Sequence, residues 1–213
     1  HQLLCTASSI FFSTWSMLLP EAAAGVGSVL ILHRLVREWM GDVAAHLAAL
    51  ALAVTPVAVV MFRYNNPDAL LTLLCLGAAW ALWAALKDGR TRWLVLSMAL
   101  IGLAFNTKMM QALVVLPALV GVYLLFGPPK LGKRLWQLAL AGVALLVSAG
   151  WWVAIVAMVP AASRPYIGST DDNSIISLVL VGANLLVLNL WLAPLWNLRL
   201  DATAQKEYTL SAT

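Results

Sequence analysis

Long apolar runs, interrupted by short polar connectors, make up most of this chain. Seven runs read as membrane spans: Met17–Leu35, Val43–Phe62, Ala69–Leu86, Trp93–Thr107, Ala112–Phe126, Leu135–Val159 and Ile175–Leu198. A helix crosses the ~30 Å hydrocarbon core of a bilayer in roughly 17–25 residues. The fourth and fifth runs are short. Joined as one helix, Trp93–Phe126 would be ~51 Å long at ~1.5 Å per residue, too long for one crossing. The spacing predicts a helical hairpin turning near "TKMMQ". The predicted fold class is all-α, a polytopic transmembrane helical bundle over residues 1–198, followed by a polar tail over 199–213.

The connectors alternate in chemistry, which sets the orientation. One set holds Arg34, Arg37, Lys87, Arg90, Arg92, Lys130, Lys133, Arg134, Arg199 and Lys206, ten of the thirteen Lys and Arg residues. Cytoplasmic loops carry such an excess. The amino end is therefore expected outside and the carboxyl end in the cytoplasm. Tryptophans flank the runs on both sides, as an interfacial belt does. Composition agrees: 62% of residues are hydrophobic and 10% charged, against about 25% charged in soluble domains. No basic face interleaved with aromatics supports nucleic-acid binding. Cys5 and Cys75 form no metal or disulfide framework. The chain opens at His1 without a basic n-region or cleavage site, so a fragment or processed chain is expected.

The three cations on the outer side are Arg63, Lys108 and Arg164. Each sits among polar residues, in "FRYNNPDA", "FNTKMMQ" and "SRPYIGSTDDNS". In the first stretch Asn66 suits the N-cap of the third helix, Pro67 its first position and Asp68 its first turn. Capping alone accounts for these residues. A second reading adds phosphate at the helix amino end, with Arg63 beside it and Asp68 orienting a hydroxyl or holding a metal. Lys108 either snorkels to the interface or contacts phosphate. In the third stretch Arg164 offers a fork for phosphate, Tyr166 a flat face for a sugar or headgroup, and Asp171 and Asp172 carboxylates for a metal or acceptor hydroxyls; a solvated loop explains the same composition. Glu21 lies near the outer end of the first run, and Gly25, Gly27 and Ser28 suit close helix packing. His33 and His46 fall on the cytoplasmic side without metal-ligand spacing.

"STWSMLLPEAAAGVGSVLILHRLVREWMG", "RYNNPDALLTLL", "FNTKMMQALVVLPAL" and "SRPYIGSTDDNS" resemble bacterial glycosyltransferases of family 39 over about Thr14 to Ser177. These are relatives of the protein mannosyltransferases and of the aminoarabinose transferase that modifies lipid A. The resemblance implies a GT-C membrane core and transfer of a sugar from a polyprenyl-phosphate donor to a protein, lipid or glycan acceptor on the outer face of the bacterial plasma membrane. Some members use a divalent metal. The resemblance implies Arg63, Lys108 and Arg164 around the lipid phosphate and Asn65, Asn66, Asp68 and Tyr166 shaping the site, with Asp68 as the catalytic residue of this chain, assisting the base. Family members carry a catalytic acid in an earlier outer loop, and "HQLLCTASSIFF" supplies none. The 213-residue chain alone is therefore expected to be inactive. Two other readings use the same residues: a transporter or flippase fragment, and a non-catalytic subunit that binds lipid.

Overall fold

The computed structural model describes residues 14–64, 66–160 and 174–183. Six helices are assigned: α1 (Thr14–Val54), α2 (Pro56–Met61), α3 (Asp68–Asp88), α4 (Thr91–Leu113), α5 (Leu116–Phe126) and α6 (Leu131–Met158). Residues 175–183 are also helical. The described residues are all-α and hold no strand. Among the described residues, four helices are long and apolar enough to cross a membrane. The chain divides into two compact units, residues 1–154 and 155–213. The first holds α1 to α5 and nearly all of α6. The expected boundary between residues 198 and 199 lies outside the described residues, as does most of the seventh run.

Helix α1 holds the first expected span and most of the second, which continues through α2. It is broken at Gly41, whose φ of 84° and ψ of −178° suit a residue without Cβ. The expected connector "HRLVREWMGD" is thus helical up to Met40 and turns on one glycine. The chain doubles back there. His33 and His46 meet edge to face with ring centroids 4.7 Å apart, whereas thirteen residues of straight helix would separate them by ~20 Å. The second arm stops at Val54 because Pro56 lacks an N–H donor and starts α2 instead.

The expected hairpin near "TKMMQ" is present. Lys108 (φ −145°, ψ 49°) and Met109 (φ 24°, ψ −106°) interrupt α4. Beyond them the chain returns, so that Tyr123 of α5 shares a core with Leu82, Ala85, Leu94, Met98 and Ala141. Met109 lies in the left-handed half of φ, a conformation that costs a long side chain of order 1–3 kcal/mol and persists where surrounding structure enforces it.

Small residues set the closest approaches. A Cβ on Gly102 of α4 would lie 1.9 Å from Ser148 Oγ and 2.6 Å from the Leu145 carbonyl of α6. One on Gly25 would meet Phe62 at 2.7 Å, and one on Gly27 would meet Leu73 at 2.9 Å. These glycines let backbones approach where lipid supplies no hydrophobic drive between helices.

The basic connectors of this unit gather at one end. Gly89 ends α3 in the left-handed conformation, beside Pro128. Gln137 donates from Nε2 to the Gly89 carbonyl at 3.1 Å and to Thr91 Oγ1 at 2.9 Å, and accepts from the Tyr123 hydroxyl at 2.7 Å. Arg134 donates to the carbonyls of Pro129 and Leu124. Lys87 and Trp83 both donate to Glu38. The "TKMMQ" turn and the "NNPDA" segment lie at the opposite end.

Candidate functional site

At that opposite end, α3 begins with Asp68. Its side chain is mostly buried, 18% exposed. Lys108 Nζ lies 2.5 Å from Asp68 Oδ1, joining segments forty residues apart. The amide of Asn66 donates to Asp68 Oδ2 at 2.9 Å and touches the sulfur of Met61 at 3.5 Å. Lys108 thus neither snorkels freely nor stands alone; the break in α4 aims it at a carboxylate. Just before that break in α4, Asn106 Nδ2 donates to the Ser148 carbonyl at 2.8 Å, fixing that end of α4 against α6.

The expected cap takes a different form. The helix starts one residue later, with Pro67 at the cap position and no side-chain cap bond. Asn66 lies outside the helix rather than at its cap, and its amide nitrogen donates instead to the Asp68 carboxylate, a charged acceptor. Asp68 does occupy the first turn, as expected.

Glu21 carries no role in the sequence reading, yet the fold brings it to this end. The first arm of α1 runs parallel to α3, since Gly27 faces Leu73 and Glu38 binds Trp83 and Lys87. That register brings Glu21 level with Asp68, and the two carboxylates interact electrostatically. Among the described residues, Glu21 Oε2 is buried without a hydrogen-bond partner. The sequence marks it only as an acid inside an apolar run; its neighbour Asp68 follows from the register of α1 and α3.

Arg63 is placed elsewhere. Its exposed side chain lines an apolar groove between the arms of α1 and α2, of about 370 Å³. No hydrogen bond or ion pair ties its side chain to Asp68 or Lys108 among the described residues. Asn65, Arg164, Tyr166, Asp171 and Asp172 lie outside the described residues. No group of three His, Cys, Asp or Glu converges among the described residues, and both oxygens of Asp68 are already engaged, one by Lys108 and one by Asn66.

Among the described residues, a mostly buried carboxylate paired with a lysine lies level with a second carboxylate whose Oε2 has no hydrogen-bond partner, at one end of the helical bundle. The family model for dolichyl-phosphate-mannose-protein mannosyltransferase matches residues 4–153. The chain belongs to this family. Over 175 residues it is 41% identical to the Bacillus subtilis (strain 168) protein named "Putative mannosyltransferase YkcB", a match that covers 81% of this chain and 24% of that protein. Over 165 residues it is 45% identical to "Putative mannosyltransferase YycA" of the same organism, covering 78% and 24% respectively. The chain spans about a quarter of the length of these curated relatives. No solved structure matches. The family and the apolar helices together make this a multi-pass membrane protein.

Proposed function

We propose that this chain carries part of the reaction site of a membrane glycosyltransferase that moves a sugar from a polyprenyl-phosphate donor to an acceptor hydroxyl on the extracytoplasmic face of a bacterial plasma membrane. Mannose is the sugar that the relatives' names point to. The observation that carries the reading is the contact between Asp68 and Lys108, at the end of the bundle away from the basic connectors. The positive-inside rule assigns those connectors to the cytoplasm, which puts the pair outside.

In this reading the pair is a resting state. A donor phosphate competes for Lys108 and draws the ammonium from Asp68. The freed carboxylate then takes the proton of the acceptor hydroxyl as that oxygen attacks the anomeric carbon. The bond from the anomeric carbon to the phosphate oxygen breaks, and the lipid phosphate leaves with the electron pair, its charge met by Lys108. Attack opposite the leaving group inverts the anomeric centre. Asn66 holds the second oxygen of Asp68 and so fixes which oxygen is released. Glu21 adds a second acceptor for a hydroxyl. Arg164 and Tyr166, on the longest outer loop of the sequence, are proposed to complete the phosphate and sugar contacts.

The test is binding. The chain in proteoliposomes is irradiated with a photoactivatable polyprenyl-phosphate mannose. Labelling that is lost in Lys108→Met and competed by unlabelled polyprenyl phosphate supports the reading. Labelling indifferent to Lys108, or solute flux through the same proteoliposomes, overturns it in favour of a transporter.

A further inference from the structure

The groove beside Arg63 is separate from the Asp68–Lys108 site. Its walls include Ala22, Val26, Val29 and Leu30 of the first arm of α1, with Val59 of α2 and Arg63 at its rim. At ~100° per residue, those four positions of α1 face away from Ala24, Gly27 and Ser28, which are buried or packed toward α3. Asp68 and Lys108 are absent from its walls. One arm of α1 therefore separates the groove from the proposed reaction site.

Its dimensions and chemistry define the occupant. From Ala22 to Leu30 the groove runs ~12 Å along the helix at ~1.5 Å per residue, close to the ~15 Å half-thickness of a hydrocarbon core. Its volume of about 370 Å³ falls within the ~300–1,000 Å³ of small-molecule sites. Val26 and Leu30 are 62% and 57% exposed, so the groove opens toward the surrounding lipid. Any hydrocarbon chain could enter an apolar groove inside a bilayer, because lipid tails are as apolar as its walls. Selection must then come from the rim. There Arg63 is exposed, its side chain has no hydrogen bond or ion pair among the described residues, and it lies at the interfacial end of the groove. A guanidinium matches a phosphodiester with a planar fork of donors.

We infer that the groove between the arms of α1 and α2 is a binding site for one acyl chain of an anionic phospholipid of the adjoining leaflet, with the headgroup phosphate on Arg63. The glycerophospholipid is chosen over the sugar donor because the reaction-site residues do not reach this face. A lipid seated there would fill the space between the two arms beyond the His33–His46 contact. The inference stands whether or not the chain takes part in sugar transfer.

The experiment uses the 213-residue chain in phosphatidylcholine discs containing a trace of photoactivatable lipid, with the reactive group midway along an acyl chain. Three probes are compared: phosphatidylglycerol, phosphatidylcholine and polyprenyl phosphate. Both phospholipids offer a phosphodiester, but the choline cation of phosphatidylcholine repels the Arg63 guanidinium, so the phosphatidylglycerol probe is expected to label Ala22, Val26 or Val29 about tenfold more, a difference of ~1.4 kcal/mol. Arg63→Gln, a change at an exposed position, is expected to erase that excess. Val29→Phe is expected to lower labelling by both phospholipids. Equal labelling by the two phospholipids, an excess that survives Arg63→Gln, or preferential labelling of the groove by polyprenyl phosphate would each overturn the assignment. Loss of polyprenyl-phosphate binding at Lys108 alone would leave it standing.

Discussion

The two ends of the bundle handle buried polar groups differently. At the basic end each group of one small network is engaged: the Tyr123 hydroxyl and Gln137 amide bond each other, and the second half of that amide bonds Gly89 and Thr91. Tyr123 and Gln137 are 0% and 1% exposed. A buried network of this kind rigidifies its surroundings when every member is satisfied. At the opposite end satisfaction is incomplete. Glu21 Oε2 is buried without a partner among the described residues, Met109 holds a positive φ, and Lys108 and Asp68 engage each other where ligands would engage them separately. Unmet acceptors and local strain concentrate where a protein does chemistry. One end holds the fold, and the other is where we propose that partners are exchanged.

Substitutions at the two ends should therefore separate activity from stability. The largest effect is expected at Asp68. Asp68→Asn, made at the aligned aspartate of a full-length relative, should lower sugar transfer by roughly 10²–10⁴-fold, the usual worth of a general base, while thermal stability in detergent changes little. Transfer within twofold of the parent would remove Asp68 from the chemistry. Next comes Gly102→Leu at the α4–α6 crossing, where the added side chain meets Ser148 and the Leu145 carbonyl. Overpacking of this kind costs about 1–3 kcal/mol or more; a melting temperature equal to the parent's would show that the two helices can part without cost.

Gln137→Leu is expected to cost somewhat less, about 1–3 kcal/mol, by stranding the Tyr123 hydroxyl and the Gly89 carbonyl. Polyprenyl-phosphate binding should persist, and its loss would break the division of labour between the ends. The smallest effect involves Glu38, which lies between the first two apolar runs. Hydrogen bonds from Lys87 and Trp83 hold its carboxyl below the ordinary value of 4.5. A depressed folded-state value means the contact stabilises above the unfolded pKa and fades as pH falls through the folded one. Melting measured from pH 6 to pH 3 should lose a small increment in the parent that Glu38→Gln lacks. Identical profiles would show that the exposed pair contributes nothing.

Much of the helical layout is legible in the sequence because length and hydropathy dictate it. The hairpin at "TKMMQ" follows from a run too long to cross once, and the structure turns at Lys108 and Met109. The first connector is legible as a turn, but its form is not: a single glycine at φ 84° replaces a loop, which no hydrophobic pattern distinguishes from continuous helix. The site is partly legible. Polar residues stranded in apolar surroundings identify Asp68, Lys108 and Asn66, while the pairing of Lys108 with Asp68 depends on where two distant helix ends meet. Sidedness alone groups Arg63 with them, and sidedness does not say which face of a hairpin a residue occupies. Glu21 stays hidden because its partner is set by the parallel register of α1 and α3, a tertiary fact.

The reversal at Gly41 rests on a backbone torsion that side chains with a Cβ rarely adopt. A Cβ at that position would strain the turn by about 1–3 kcal/mol. Without the turn the same forty-one residues would run as one rod ~60 Å long at ~1.5 Å per residue, about twice the thickness of the hydrocarbon core.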